Sequence, residues 1–261
     1  GRPDQYGRWD ASGSSNLKEL RQRLESEGLF LRRRKKDVLT QLPAKRRQVL
    51  QVEGKVSAAK KCNSLMKATV EATMLTDAVS DFAWEVGAFK EFENMSHSHV
   101  AELRRELGRA KLQPTIDYIV EQDKLGVLPE KLVIFAHHRE VIETLTTSLQ
   151  DAGISAAKYY GGMTDAQKNQ VVQDFQHTDL RVFVGSLTAA GVGLTLTAAD
   201  TAIIVEPSFV PAENIQGEDR IHRIGATRPV LIQYITLANS LDHRILSLVV
   251  DKMRMIEELF G

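Results

Sequence analysis

The sequence predicts an α/β fold in which a parallel sheet is flanked by helices. Two observations carry that expectation. Across residues 131–236 strand-like runs alternate with helical ones, the pattern of βαβ units joined by right-handed crossovers. The strand-like runs, KLVIFAHH, RVFVGS and TAIIVE among them, are also apolar almost throughout. Strands covered on both faces read that way, whereas a half-exposed strand alternates.

Taken in order, residues 1–15 are rich in Gly, Ser and Asp and read as irregular. Asn16 is placed to cap a helix reaching about Glu27, with Leu17, Leu20 and Leu24 at spacings of three and four, and Gly28 stops it. LFLRRRKKDVLTQLPAKRRQVLQVE then gives a short apolar and basic segment, a break at Leu42-Pro43 and a strand near residues 48–53. Residues 57–108 hold good helix formers, with Gly87 separating two helices and 94–99 marking either a polar loop, the favoured reading, or a helix start. His97 and His99 lack supporting carboxylates or cysteines, so no metal is expected there. After Pro114 a further helix leads to Gly126.

From that point the α/β pattern begins. KLVIFAHH is a buried strand followed by a polar turn, and REVIETLTTSLQDAG is an amphipathic helix closed by Gly153. SAAKYYGG is the next strand. In TDAQKNQVVQDFQ, Thr164 as N-cap with Gln167 three residues on fits a capping box. RVFVGS, TAIIVE and VLIQYIT supply three more strands, and LDHRILSLVVDKMRMIEELF a long amphipathic helix.

Composition narrows the class. The 261 residues suffice for a substantial core, and 26% charged with 43% hydrophobic residues is ordinary for a globular protein. Lys+Arg and Asp+Glu both total 34, yet residues 31–61 carry eleven bases against two acids, a net of +9 balanced by −9 elsewhere. That strip suggests a face for nucleic acid, with a solvated helix face as the alternative. The single cysteine, Cys62, excludes an internal disulfide and reads as a small packed residue. No apolar run is long enough to span a membrane and the start has no apolar signal region. The expectation is a soluble intracellular protein without a membrane partner, and Gly1 in place of Met suggests a fragment or a processed chain.

The stretch 184–230 concentrates the candidate chemistry. A helix expected from Pro211 to Gly225 would present Gln216, Arg220 and Arg223 on one face. Arg at helical spacing is most often a solvated face. Here, however, the set follows two buried strands, and ligands of open α/β sheets bind beyond strand ends. Forked guanidinium donors suit polyphosphate oxygens and can stabilise a transferring phosphoryl group. GVGLTL invites a dinucleotide reading, with Glu206 as a ribose-binding acid. Leu196 replaces the third glycine, however, and residues 194–200 are too few for a crossover helix. No GxxxxGK[ST] run and no acidic DExx strand end occur. Arginines that serve ATP in this chain would therefore serve a nucleotide held mainly elsewhere.

These residues resemble the second RecA-like lobe of Swi/Snf-type ATPases of helicase superfamily two. The resemblance is carried by KLVIFAHHREVIETL, YYGGMTDAQKNQVVQDFQ, VGSLTAAGVGLTLTAADTAIIVEPSFVPAENIQ and QGEDRIHRIGATRPV, which match motifs IV, IVa, V and VI. WDASGSSNLKELRQRLE with the basic passage after it is most similar to the annealing-helicase branch. The resemblance divides the chain into an inter-lobe passage and basic segment (1–47), a strand plus helical protrusion (48–112) and a RecA-like C-terminal lobe (113–261), so that the helical part forms an N-terminal insertion.

The resemblance also implies roles. Arg220 and Arg223 match catalytic arginines that reach ATP, and Gln216 and Gly193 match residues near the nucleotide. ATP and Mg would be held mainly by a first RecA-like lobe of the same polypeptide, and this lobe alone would be inactive. Ser186, Thr188, Gly161 and Gly162 fall where relatives meet double-stranded or forked DNA. Phe209 stands where relatives carry Trp, Thr188 where many carry Arg or Lys, and Ala226 where Gln is usual. The implied activity is ATP-driven translocation on duplex DNA with phosphate contacts independent of sequence. The rival expectation is a non-catalytic DNA- or protein-docking module using the basic strip at 32–47.

Overall fold

Six strands form one all-parallel sheet in the order β1-β6-β5-β2-β4-β3. They are β1 (Lys45–Val52), β2 (Leu132–Ala136), β3 (Ala156–Tyr159), β4 (Val182–Ser186), β5 (Thr201–Ile204) and β6 (Val230–Leu237). This computed structural model describes residues 42–71, 97–188, 193–208, 210–240 and 242–260, with scattered positions before residue 29. Among them the helices are α1 (Val56–Glu71), α2 (His97–Lys124), α3 (Arg139–Asp151), α4 (Asp165–His177), α5 (Pro211–Glu218) and α6 (Asp242–Phe260). The chain divides into two units, residues 42–252 and residues 1–41 with 253–261. In the smaller unit Arg2–Pro3 pairs antiparallel with Trp9–Asp10. Positions 19, 22, 23 and 26 are helical, and Gly28 has φ +67°.

The sheet explains the apolar runs. Every residue of β2, β4 and β5 is buried. Leu132, Ile134, Val182, Val184 and Ile203 form one core with Ile119 of α2 and Val141, Ile142, Leu145 and Leu149 of α3. Phe183 points the other way, its ring 5.6 Å from that of Phe175 on α4. Helices on both faces leave these strands no wet side, so alternation disappears from the sequence.

Two expectations give way. Strand β1 starts at Lys45, not near 48, and lies parallel to β6 with Lys45 opposite Val230 through Val52 opposite Leu237. Residues 97–124 form one helix that runs unbroken through Gly108 and Pro114, and it begins at His97, the helix start that the sequence offers there beside a loop. Gly108 is held by close packing, because a Cβ there would lie 2.1 Å from a Glu206 oxygen. Pro114 has no N–H for the Ala110 carbonyl, and Gly54 packs beside that carbonyl, where a Cβ would sit 3.2 Å away. Tertiary contacts thus outweigh two helix breakers. The capping box at Thr164 and Gln167 is present as expected. No group of three or more metal-ligating side chains occurs among the described residues. Cys62 is buried, and burial first, then Asp242 and Glu106, push its thiol up to about 11, so it is an unreactive packed residue.

Candidate functional site

Helix α5 opens with Pro211 at its first turn, which needs no N–H there. It packs tightly against the end of β4, since a Cβ on Gly217 would come 2.4 Å from Leu187 Cδ1. Gln216 is exposed on this helix. The helix ends at Glu218, seven residues before Gly225, so Arg220 and Arg223 do not share a helical face with Gln216. Glu218 is the last residue of the helix. Its carboxylate is fully buried among Lys45 (2.6 Å), Arg47 (2.6 Å) and the Tyr234 hydroxyl (2.9 Å). A carboxylate at a helix C-terminus opposes the helix dipole, and these cations offset it.

Beyond Glu218 the chain forms tight turns. The Arg220, Ile221 and His222 amides donate back to Gly217 and Glu218 carbonyls, and Ile221 is buried. The Arg220 carbonyl accepts from the Leu196 amide at 2.9 Å. Arg223 Nη1 donates to the Leu194 carbonyl (3.2 Å) and to Thr195 Oγ1 (3.1 Å). Both arginines are thereby bolted to the loop after Gly193, whose φ of +65° suits glycine. Burial lowers the pKa of the Arg220 guanidinium, and nearby Arg223 adds to the effect against Asp219. Two cations that repel each other in this way form a donor-only pair suited to an anion, not to a metal ion.

Ser186, Thr188, Gly161 and Gly162 lie at the opposite edge. The arginine turn adjoins Pro43 and Lys45, where β1 begins, and precedes Val230, where β6 begins. It therefore sits toward the amino ends of the strands rather than beyond their carboxyl ends. Ser186 closes β4 at the carboxyl edge and is buried, its Oγ 3.1 Å from the exposed Thr188 Oγ1. Gly161 and Gly162 form the exposed turn after β3. Phe209 lies outside the described residues.

Sequence reasoning missed several neighbours. Arg139 stacks on Tyr160 at 4.6 Å, and its Nη1 lies 4.0 Å from where a Gly162 Cβ would be. Lys158 lies beside the same ring, and Glu143 accepts from both cations and from the Tyr160 hydroxyl. At the ends of β2 and β5, buried Glu206 accepts the His137 and His138 amides (2.8 and 2.9 Å) and His138 Nδ1–H (2.7 Å). The FAHHRE run was the available signal, a pair of histidines and an arginine directly after a buried strand. The basic strip is also revised. Lys45 and Arg47 are spent on Glu218 and Lys61 on Glu106, while residues 32–36 lie outside the described residues.

Comparison with known proteins places this arrangement. The family described as "Helicase conserved C-terminal domain" matches residues 115–225. The chain is 33% identical over 249 residues to the Xenopus laevis SWI/SNF-related matrix-associated actin-dependent regulator of chromatin subfamily A-like protein 1, covering 95% of this chain and 24% of the relative. To the human DNA annealing helicase and endonuclease ZRANB3 it is 32% identical over 238 residues, covering 90% and 20%. The chain is a Swi/Snf-type helicase C-terminal lobe. The lobe spans about a quarter or less of the length of these curated relatives. Its fold is that of the C-terminal part of the Fun30 ATPase domain (TM-score 0.57, 16% identity, 84% of this chain and 98% of the other). It likewise matches the Sulfolobus solfataricus SWI2/SNF2 ATPase core in complex with dsDNA (TM-score 0.58, 18%, 91% and 51%). The sheet is therefore a RecA-like one.

Proposed function

We propose that the lobe is the second half of an ATP-dependent double-stranded DNA translocase of the annealing-helicase or remodeller type. The observation that carries this reading is the arginine turn. Arg220 and Arg223 are fixed through the backbone and side chains of residues 194–196, and Gln216 is exposed on the preceding helix. Such a set neutralises phosphate charge but brings no carboxylates for Mg. ATP and Mg would thus be held mainly by a first lobe of the same polypeptide, with Gly193 lining the approach. ATP would draw the two lobes together, and Arg220 and Arg223 would then face the γ-phosphoryl group as charge develops on it. Hydrolysis would release them, so that surfaces at the carboxyl edge step along the duplex.

Those surfaces would be Ser186, Thr188, Gly161 and Gly162, with Phe209 as an aromatic face and Arg139 and Lys158 as added cations. Contacts of this kind read phosphate and not sequence. The site of action would be wherever duplex DNA lies, the nucleus or nucleoid. The test is DNA-stimulated ATP hydrolysis by the full-length protein. Arg223→Ala is expected to lower kcat roughly 10³-fold or more, the range of a lost arginine finger. An unchanged rate would overturn the reading.

A further inference from the structure

The arginine turn is held from outside its own element by the segment that enters the lobe. Glu218 stands two residues after Gln216 and two before Arg220. Its carboxylate, with a side chain 0% exposed, is met by Lys45 Nζ on one oxygen and by Arg47 Nε and Nη2 across both, all at 2.6 Å. Tyr234 of β6 adds its hydroxyl at 2.9 Å. A second tie lies between the two arginines, where His222 Nε2–H donates to the Pro43 carbonyl at 2.8 Å. The ties from Lys45, Arg47 and Pro43 span 171 to 179 residues, so nothing local imposes them. Strand β1, which carries both cations, is zipped to β6 over eight residue pairs and gives the ties a rigid footing.

We infer that Lys45 and Arg47, acting through Glu218, and Pro43, acting through His222, are positioning elements that fix where Arg220 and Arg223 stand. This rests on the role given to those arginines above. The physical argument is that a buried carboxylate must keep its cations, because leaving it unpaired costs far more than moving the backbone around it. The turn is therefore obliged to follow residues 43–47. A displacement of the incoming segment is transmitted to the guanidiniums, and misplacement of about 1 Å in a transition-state group lowers rates by about 10²-fold.

The test uses the full-length protein and DNA-stimulated ATP hydrolysis. Glu218→Gln keeps the shape and removes the charge; His222→Ala removes the second tie and leaves no buried ion. Each is expected to lower kcat roughly 10- to 100-fold while KM for ATP moves much less. In an Arg223→Ala background neither should lower the rate further, because groups that act as a unit are not additive. A merely stabilising role would lower the melting temperature and leave kcat intact in the cold, or would multiply the Arg223→Ala loss; either outcome overturns the inference. If Glu218→Gln does not fold, His222→Ala alone decides. Loss of activity in Arg223→Ala with normal kcat in both other variants sinks only the positioning role. An unaffected Arg223→Ala sinks the reading of the arginines as well.

Discussion

A carboxylate buried at a strand end must be held by dipoles or cations, and Glu206 is held by both. Burial pushes its pKa up, but the His138 ring and the amides of His137 and His138 outweigh burial and leave it below the usual 4.5. Beside it, His137 is lowered from 6.5 to about 4, chiefly by burial and then by Arg104 and His138. The imidazole is therefore neutral in the folded lobe at pH 5, whereas the unfolded chain protonates it. The His137 contribution is then constant above pH 6.5 and is lost as pH drops from 6.5 toward 4, by at most about 3 kcal/mol. The Glu206 contribution is present above its unfolded value and is lost only at still lower pH. Chemical denaturation of the chain at pH 7 and pH 5 measures this, and His137→Asn should flatten the difference. Equal midpoints at the two pH values in the parent chain would show that His137 is not buried neutral.

At the scale of elements, helix α2 is secured by its buried lysine. Lys111 is 1% exposed and lies 3.2 Å from both Asp242 Oδ2 and the Ile235 carbonyl, while Asp242 also accepts the Leu237 amide at 3.0 Å. One ion pair thus ties α2 to the first residue of α6 and to the end of β6. Asp242→Asn keeps an acceptor for the amide but leaves Lys111 without its anion. It is expected to cost about 3–5 kcal/mol, read as a lower urea midpoint. A loss below about 1 kcal/mol would mean that the pair is not closed. The strands, α3, α4 and the Thr164 capping box were legible in the sequence because hydrophobic runs and caps act over a few residues. The continuity of α2 through Gly108 and the end of α5 at Glu218 were not. At each of these positions the neighbour lies about a hundred or more residues away, Glu206 against Gly108 and Lys45 with Arg47 against Glu218, out of reach of local patterns. Charges could be counted in the basic strip, but which of them face inward depends on the sheet order.

At the scale of the molecule, the two edges of the sheet carry different chemistry, and this separates two measurements. The arginine turn adjoins the amino ends of the strands, whereas Ser186, the Gly161–Gly162 turn, Arg139 and Lys158 gather at the carboxyl ends. If the carboxyl edge grips duplex phosphates, Arg139→Ala and Lys158→Ala weaken binding equally for every sequence. Each phosphate contact removed flattens the dependence of log affinity on log salt by about 0.9. The exposed pairing of Arg139 and Lys158 with Glu143 does not prevent this, since surface ion pairs contribute only about 0–1 kcal/mol and yield to a phosphate. Arg223→Ala, at the other edge, should leave duplex affinity and its salt slope unchanged while abolishing hydrolysis. Fluorescence anisotropy of a labelled duplex against salt concentration, run beside the hydrolysis assay, distinguishes the edges. A salt slope that responds to Arg223→Ala and not to Arg139→Ala would place the DNA at the arginine turn and overturn the division of labour proposed for this sheet.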